Sequence, residues 1–308
     1  MTEGIILLDK PTGQTSFQSL AELKRRLGTR RVGHAGTLDR FAEGLLVVLA
    51  GRMTRLCSFA TSLDKEYVAV FTFGRGTDTL DPEGATTAEG PVPSRQDIMG
   101  VLPSFLGTIS QVPPDYSAVH VGGKRAYESA RAGESPVLAP RNITIEKLEV
   151  IDIDGAELTL RISCSKGTYV RSLARDVAAR LGTCAFVSAL RRTRIGGFRL
   201  SDAVRADDFD PGRDVLPPTA FFDAAPGLGR VVVRDARTGR VANGGVLDDE
   251  SFEDSPDHDG TFGAFSSSGH LLAVVERTDG AWRYAAVFPG EPTQGESHGE
   301  PVPRERTP

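Results

Sequence analysis

Alternation of apolar and polar positions divides this chain into short strands and amphipathic helices. The run Lys65-Glu-Tyr-Val-Ala-Val-Phe-Thr-Phe73 is rich in β-branched and aromatic residues and predicts a strand. Unbroken apolar runs at residues 4–9 and from Gly44 to Ala50 predict buried strands. Two more, Asn142 to Asp152 and Glu157 to Cys164, are joined by an Asp154-Gly155 hairpin signal, and Ala185 to Arg194 predicts another. Helical spacing of Phe17, Leu20, Leu23 and Leu27 predicts a helix capped by Ser16 and stopped at Gly28. Further helices are expected from Met53 to Ser62, from Ser94 to about Leu106 (buried through Ile98, Leu102 and Phe105) and from Lys124 to Ala132. The stretch Ser165 to Arg171 opens one more, with Val170, Leu173, Ala174, Val177 and Leu181 inward and Gly182 as its stop. Gly74 to Gly84 reads as a loop, and Gln111 to Ala118 is extended by its prolines. Strands and helices mix without a regular βα repeat. The fold class is therefore α+β, with a mixed, largely antiparallel sheet and flanking helices.

From about Phe222 the pattern changes. Gly and Asp become frequent and the apparent strands shorten to Arg230–Val233, Gly263–Phe265, His270–Glu276 and Trp282–Phe288, around an acidic loop from Asp248 to Gly260. The expected organisation is a large domain over 1–221, a small β domain over 222–289, and a polar, Pro- and Glu-rich tail over 290–308 that is disordered.

Charge sharpens this division. The 308 residues carry a net charge of −5, an unpromising value for a nucleic-acid binder. Residues 1–200, however, hold 26 Lys+Arg against 21 Asp+Glu, whereas residues 201–308 hold 10 against 20. A basic face on the first two-thirds is masked in the total. Lys24, Arg25 and Arg26, followed by Arg30 and Arg31, are candidates for phosphate contact or simply for a solvated helix end. Cys57, Cys164 and Cys184 are isolated and the five histidines do not cluster, so neither disulfides nor a metal is expected. Without a Rossmann or Walker glycine pattern, no nucleotide cofactor is expected. No apolar stretch reaches 18 residues and the N-terminus lacks a basic leader segment, so a cytoplasmic location is expected. The absence of a heptad or a large apolar stripe points to a monomer with no obligate protein partner.

The candidate chemistry centres on Gly33-His34-Ala35-Gly36-Thr37-Leu38-Asp39. Two glycines allow close backbone approach, and the loop ends in a lone carboxylate with Arg30 and Arg31 nearby. Asp39 is either a turn-forming residue bonding its own backbone or a reactive carboxylate facing an anionic substrate.

The full set of motifs resembles one family, the bacterial tRNA pseudouridine-55 synthases of the TruB type. The resemblance rests on Leu8-Asp9-Lys10-Pro11-x-Gly13, Gly33-His34-x-Gly36-Thr37-Leu38-Asp39, Lys65-x-Tyr67, Thr77-Asp78-Thr79 and Gln111-Val112-Pro113-Pro114-x-Tyr116-Ser117-Ala118. Gly123-Lys124-Arg125-Ala126-Tyr127, Ser165-Lys166-Gly167-Thr168-Tyr169-Val170-Arg171 and Leu190-Arg191-Arg192 complete it, in the family's order across residues 4–200. It implies a pseudouridine synthase fold, a cleft in a mixed sheet followed by a small RNA-binding PUA domain. It also implies Asp39 as the catalytic aspartate, Arg171 as its partner through a bidentate bond that lowers its pKa, and Tyr67 stacked on the target base. His34, Tyr169 and Leu190 would line the pocket and Lys10 would lie near the substrate, the T-loop and T-arm of tRNA. The family usually carries Pro after the aspartate, where this chain has Arg40-Phe41-Ala42-Glu43, with Arg40 as a possible phosphate contact offset by Glu43.

The implied reaction breaks the N-glycosidic bond of a uridine, turns the base and rejoins it through carbon, so no cofactor or metal is required. The stacked base is flipped out at a cost of a few kcal/mol, of which stacking on Tyr67 returns about 1–3 kcal/mol. Two other readings compete: a tRNA-folding chaperone that performs no chemistry, and a retaining glycosidic hydrolase using Asp78 as general acid. Outside the resemblance, Tyr67 and Leu190 are ordinary core positions.

Overall fold

The alternation read in Lys65–Phe73 is the alternation the structure uses. This strand is buried at every odd residue and half-buried at every even one, so one face of the sheet seals a core and the other stays partly open. The computed structural model describes residues 3–117, 120–121, 124–125 and 138–289. The chain divides into two compact units, Met1–Pro226 and Gly227 onward.

In the first unit the strands are β1 (Gly4–Lys10), β2 (Val32–His34), β3 (Glu43–Ala50), β4 (Lys65–Phe73), β5 (Arg75–Thr77), β6 (Thr86–Glu89) and β7 (Gly107–Gln111). They continue with β8 (His120–Val121), β9 (Lys124–Arg125), β10 (Arg141–Asp154), β11 (Glu157–Cys164), β12 (Ala185–Ile195) and β13 (Phe198–Arg199). The main sheet runs β1-β3-β12-β4-β11-β10-β7, with β2 added to β3 and β13 to β12. Within it β12 pairs parallel to β3 through Arg191–Glu43 and Arg192–Gly44, while the other pairings are antiparallel. The mixed, largely antiparallel sheet is thus present. On its buried face Tyr67, Ala69 and Phe71 of β4 pack with Leu158, Leu160 and Ile162 of β11 and with Leu173, Ala174 and Val177 of the helix Val170–Arg180.

The parallel join is tight. Gly44 has φ +100°, and a Cβ there would lie within 2.9 Å of the Arg192 backbone nitrogen and still closer to its carbonyl oxygen. Gly44→Ala is expected to cost about 2–4 kcal/mol from strain and overpacking together, read as a lower urea midpoint at unchanged slope.

Several local expectations need correction. Thr15, not Ser16, caps the first helix, which stops at Ser19 before a second runs Ala21–Leu27 to Gly28 in the left-handed conformation. Phe17 therefore points outward and is 71% exposed, with the Lys24 ammonium 4.4 Å from its ring centroid. The segment from Met53 begins as a 3-10 turn, Gly51–Leu56, before the α-helix Cys57–Ser62. Ser94 does cap its helix, but the α-helix ends at Val101 and a 3-10 turn carries Leu102 and Phe105 into the core. The Gly74–Gly84 loop contains β5, and Gln111 ends a strand that its polar sequence concealed. Lys124 and Arg125 pair with Val121 and His120 as a small antiparallel ladder instead of opening a helix. The rest of that proposed helix, like the tail after residue 289, lies outside the described residues. The helix Thr219–Ala224 belongs to the first unit, its Phe221 ring 6.4 Å from that of Phe198.

The second unit is a four-stranded sheet of β14 (Leu228–Val232), β15 (Gly260–Phe265), β16 (Leu271–Thr278) and β17 (Ala281–Val287) in that order. Its core gathers Val231, Val233, Phe252, Phe262, Ala264 and Val275, with Trp282 packed against it.

Candidate active site

Asp39 lies in the connection 35–42 between β2 and β3, and that loop is held at three points. The Ser16 hydroxyl donates to the Leu38 carbonyl at 3.0 Å and accepts from the Leu38 N–H at 2.8 Å. Arg192, almost fully buried, donates to the carbonyls of Leu45 at 2.8 Å and Gly36 at 3.1 Å. Lys10 is buried too, and its ammonium donates to the carbonyls of Ala42 at 2.5 Å and Pro11 at 2.9 Å. Burial lowers the Lys10 pKa to about 8, with Asp39 acting in the opposite direction. Lys10 thus braces the loop, with two of its three ammonium protons committed to backbone carbonyls. Ser16→Ala leaves both Leu38 backbone groups without this partner, at a cost of about 1–3 kcal/mol. The expected result is a slower chemical step with little change in substrate binding, measured by single-turnover rates against equilibrium Kd.

Arg171 stands in the first turn of the helix Val170–Arg180 and is buried. Its start is set by Gln111, whose side-chain amide accepts from the Tyr169 N–H at 2.8 Å and donates to the Tyr169 carbonyl at 3.2 Å. The guanidinium then reaches two carboxylates. Its Nε lies 2.9 Å from Asp39 Oδ2, and one terminal nitrogen lies 3.3 Å from Asp81 Oδ2. The same nitrogen donates to the Thr79 carbonyl at 2.7 Å, and the other donates to the Tyr116 carbonyl at 3.0 Å. The pairing with Asp39 is therefore single, not bidentate, because the rest of the fork is engaged elsewhere.

Asp81 was not singled out by sequence. It is buried, and its Oδ1 accepts from the Thr79 hydroxyl at 2.5 Å and the Glu83 N–H at 3.0 Å. Leu80 before it takes a left-handed φ of +59°, an uncommon conformation outside glycine. Asp78, the general acid of the hydrolase reading, is exposed and accepts from the Thr79 N–H at 2.9 Å. Among the described residues the carboxylate that shares a partner with Asp39 is Asp81, through Arg171, and not Asp78.

The Asp39 side chain keeps 39% of its surface open. Desolvation by the surrounding protein pushes its carboxyl above the ordinary value; Arg171 opposes this and Asp81 reinforces it. Arg171 does favour the ionised form, but the net direction is upward, contrary to the lowering expected from the pair alone. Tyr67 and Leu190 are both buried and share a core cluster with Leu38 and Ala42. Burial raises the Tyr67 pKa, with the Arg192 charge acting against it. His34 is half-buried, and burial together with Arg192 lowers its pKa, so the ring is neutral at pH 7. Tyr169 packs against Leu138, and burial raises its phenol pKa.

The basic residues near the loop are largely occupied. Arg25 and Arg26 pair with Glu22, and Arg26 also donates to the carbonyls of Phe209 and Asp207. Arg40 donates to the Gly13 carbonyl at 3.0 Å, and Glu43 pairs with Arg191 at 3.3 Å. Glu43 therefore offsets Arg191 and not Arg40. No group of three or more His, Cys, Asp or Glu side chains is placed to hold a metal among the described residues, and no described helix is long and apolar enough to cross a membrane.

Comparison with known proteins agrees with this architecture. The sequence profile described as TruB family pseudouridylate synthase (N terminal domain) matches residues 24–170. The tRNA pseudouridine synthase B of Thermobifida fusca is 38% identical over 300 residues, covering 94% of this chain and all of that one. The protein of the same name from Borreliella burgdorferi (strain ZS7) is 47% identical over 211 residues, 68% of this chain and 75% of its own. Among solved structures, a chain of a Cbf5-Nop10-Gar1 complex superposes with a TM-score of 0.70 at 25% identity, over 94% of this chain and 84% of that one. Identity of 38% to the Thermobifida protein over 94% of this chain, together with the shared fold, assigns the chain to the TruB family of pseudouridylate synthases.

Proposed function

We propose that the chain is a tRNA pseudouridine synthase that isomerises the T-loop uridine at position 55, with Asp39 as its catalytic carboxylate. The observation that carries this reading is the Asp39–Arg171 contact at 2.9 Å, in which the arginine is buried and the carboxylate is partly open. The names of the relatives, tRNA pseudouridine synthase B, support the substrate class.

In this reading a uridine leaves the RNA stack and enters beside Asp39. The N1–C1′ bond breaks, the uracil turns, and C5 bonds to C1′. The C5 proton leaves to solvent and N1 takes one up, so product and substrate contain the same atoms. Asp39 supplies the negative charge, at the sugar or at the ring, and Arg171 fixes its orientation. Tyr67 is the stacking surface, while Leu190, Tyr169 and neutral His34 bound the pocket; Lys10 acts by bracing the loop. The second unit is PUA-like in this reading, and the enzyme works as a cytoplasmic monomer on the T-arm.

Pseudouridine mapping on an unmodified tRNA transcript tests the proposal. Conversion of the T-loop uridine by the purified protein is expected. Binding without conversion at any uridine would overturn it.

A further inference from the structure

The face of the sheet turned away from Tyr67 carries a second polar recess. Along β12 the side chains of Leu190 and Arg192 are buried, whereas Arg191 is exposed on the opposite face. The register sets Arg191 across from Val68 and, past an irregularity at Thr193, Arg194 across from Glu66. A cavity of about 370 Å³ opens there, lined chiefly by Arg191, Arg194, Arg199, Glu66, Thr193 and Ser201.

The positive charge in this recess is only partly balanced. Arg191 has Glu43 at 3.3 Å. Glu66, the carboxylate in the lining, accepts from the Thr193 hydroxyl at 2.7 Å. Arg194 donates to the Gly196 carbonyl at 2.9 Å, and neither it nor Arg199 has an ion-pair partner among the described residues. Three guanidiniums around one opening repel each other unless an anion is shared among them. Their planar donor forks suit phosphate oxygens.

The geometry points to a second RNA-binding site, in which Arg191, Arg194 and Arg199 hold a backbone phosphodiester of the tRNA outside the T-arm. The sheet stands between this pocket and the face that carries Tyr67, so the phosphate held here belongs to a different RNA segment from the target nucleotide. The inference rests on the proposed tRNA activity.

The test uses the full-length protein and the double variant Arg194→Gln/Arg199→Gln, whose side chains lie outside the core. Kd is measured over a salt series for unmodified full-length tRNA and for the isolated T-arm stem–loop. With full-length tRNA the variant is expected to bind several-fold more weakly, with the slope of log K against log salt smaller by about 1. Stem–loop affinity and conversion are expected to match wild type. Equal affinity and slope for full-length tRNA would overturn the inference, as would an equal loss on the stem–loop. Inorganic phosphate titrated at constant ionic strength identifies a free-anion site; phosphate binding lost in the variant without any change toward tRNA would also overturn it. Failure of the wild-type protein to convert the stem–loop counts against the proposed activity and is read separately.

Discussion

Asp39→Asn is expected to bind unmodified tRNA with near wild-type affinity and to convert it at least about 10⁴-fold more slowly, the scale of losing a reactive group. The variant should remain folded, because Arg171 keeps Asp81 and the carbonyls of Thr79 and Tyr116 as partners. Tritium release from C5 of the target uracil under single-turnover conditions measures the chemistry, and filter binding measures affinity. Conversion within tenfold of wild type would remove Asp39 from the mechanism. The wild-type pH profile adds a second readout. In the proposed mechanism the ionised carboxylate is the active form, and its pKa is raised, chiefly by desolvation. The rate should therefore be flat at high pH and fall as pH drops through a midpoint above the ordinary Asp value of about 3.9. Asp81 contributes to that upward shift, so Asp81→Asn should move the acid limb to lower pH.

Arg171→Met is expected to lose activity and stability together. Asp39 is partly open to solvent, whereas the Asp81 side chain is only 8% exposed. Removing the shared guanidinium strands a buried carboxylate, for which about 3–5 kcal/mol is typical. Urea unfolding should show a lower midpoint. The double variant Arg171→Met/Asp81→Asn should regain part of that stability, since the uncompensated charge is gone, but no activity. A stable Arg171→Met protein would mean that Asp81 finds another partner, and the bridging role of Arg171 would fail.

The parts of this fold that were legible in sequence are those governed by local pattern. β4, with strict alternation, was read to the residue, and Gly28 and Gly182 stop their helices in the left-handed conformation as expected. Spacing alone puts Phe17 on the apolar face, whereas the helix breaks at Leu20 and Phe17 is exposed. β7, Gly-Thr-Ile-Ser-Gln, carries little apolar signal and exists because β10 pairs with it. At the site, the resemblance identified Asp39 and Arg171, which the structure brings together. It does not extend to Asp81, which is buried against Arg171, whereas Asp78 is exposed. The sequence marks Ser16 as a helix cap, Arg192 as part of a motif and Lys10 as a group near the substrate; their side chains hold backbone atoms of the loop that carries Asp39, a role that appears only when distant segments meet.

The Arg192 clamp has a consequence for biosynthesis. Its contact with Gly36 spans 156 positions, and the β3–β12 join brings together equally remote segments. A nascent chain on the ribosome carries Asp39, Ser16 and Lys10 early, but the Arg192 clamp on the loop arrives only when β12 has been made. Contacts of such long sequence separation form late. The loop therefore gains its full set of supports only after most of the first unit has been translated, and a fragment ending before residue 185 contains Asp39 with Ser16, Lys10 and Arg171 but without the Arg192 clamp.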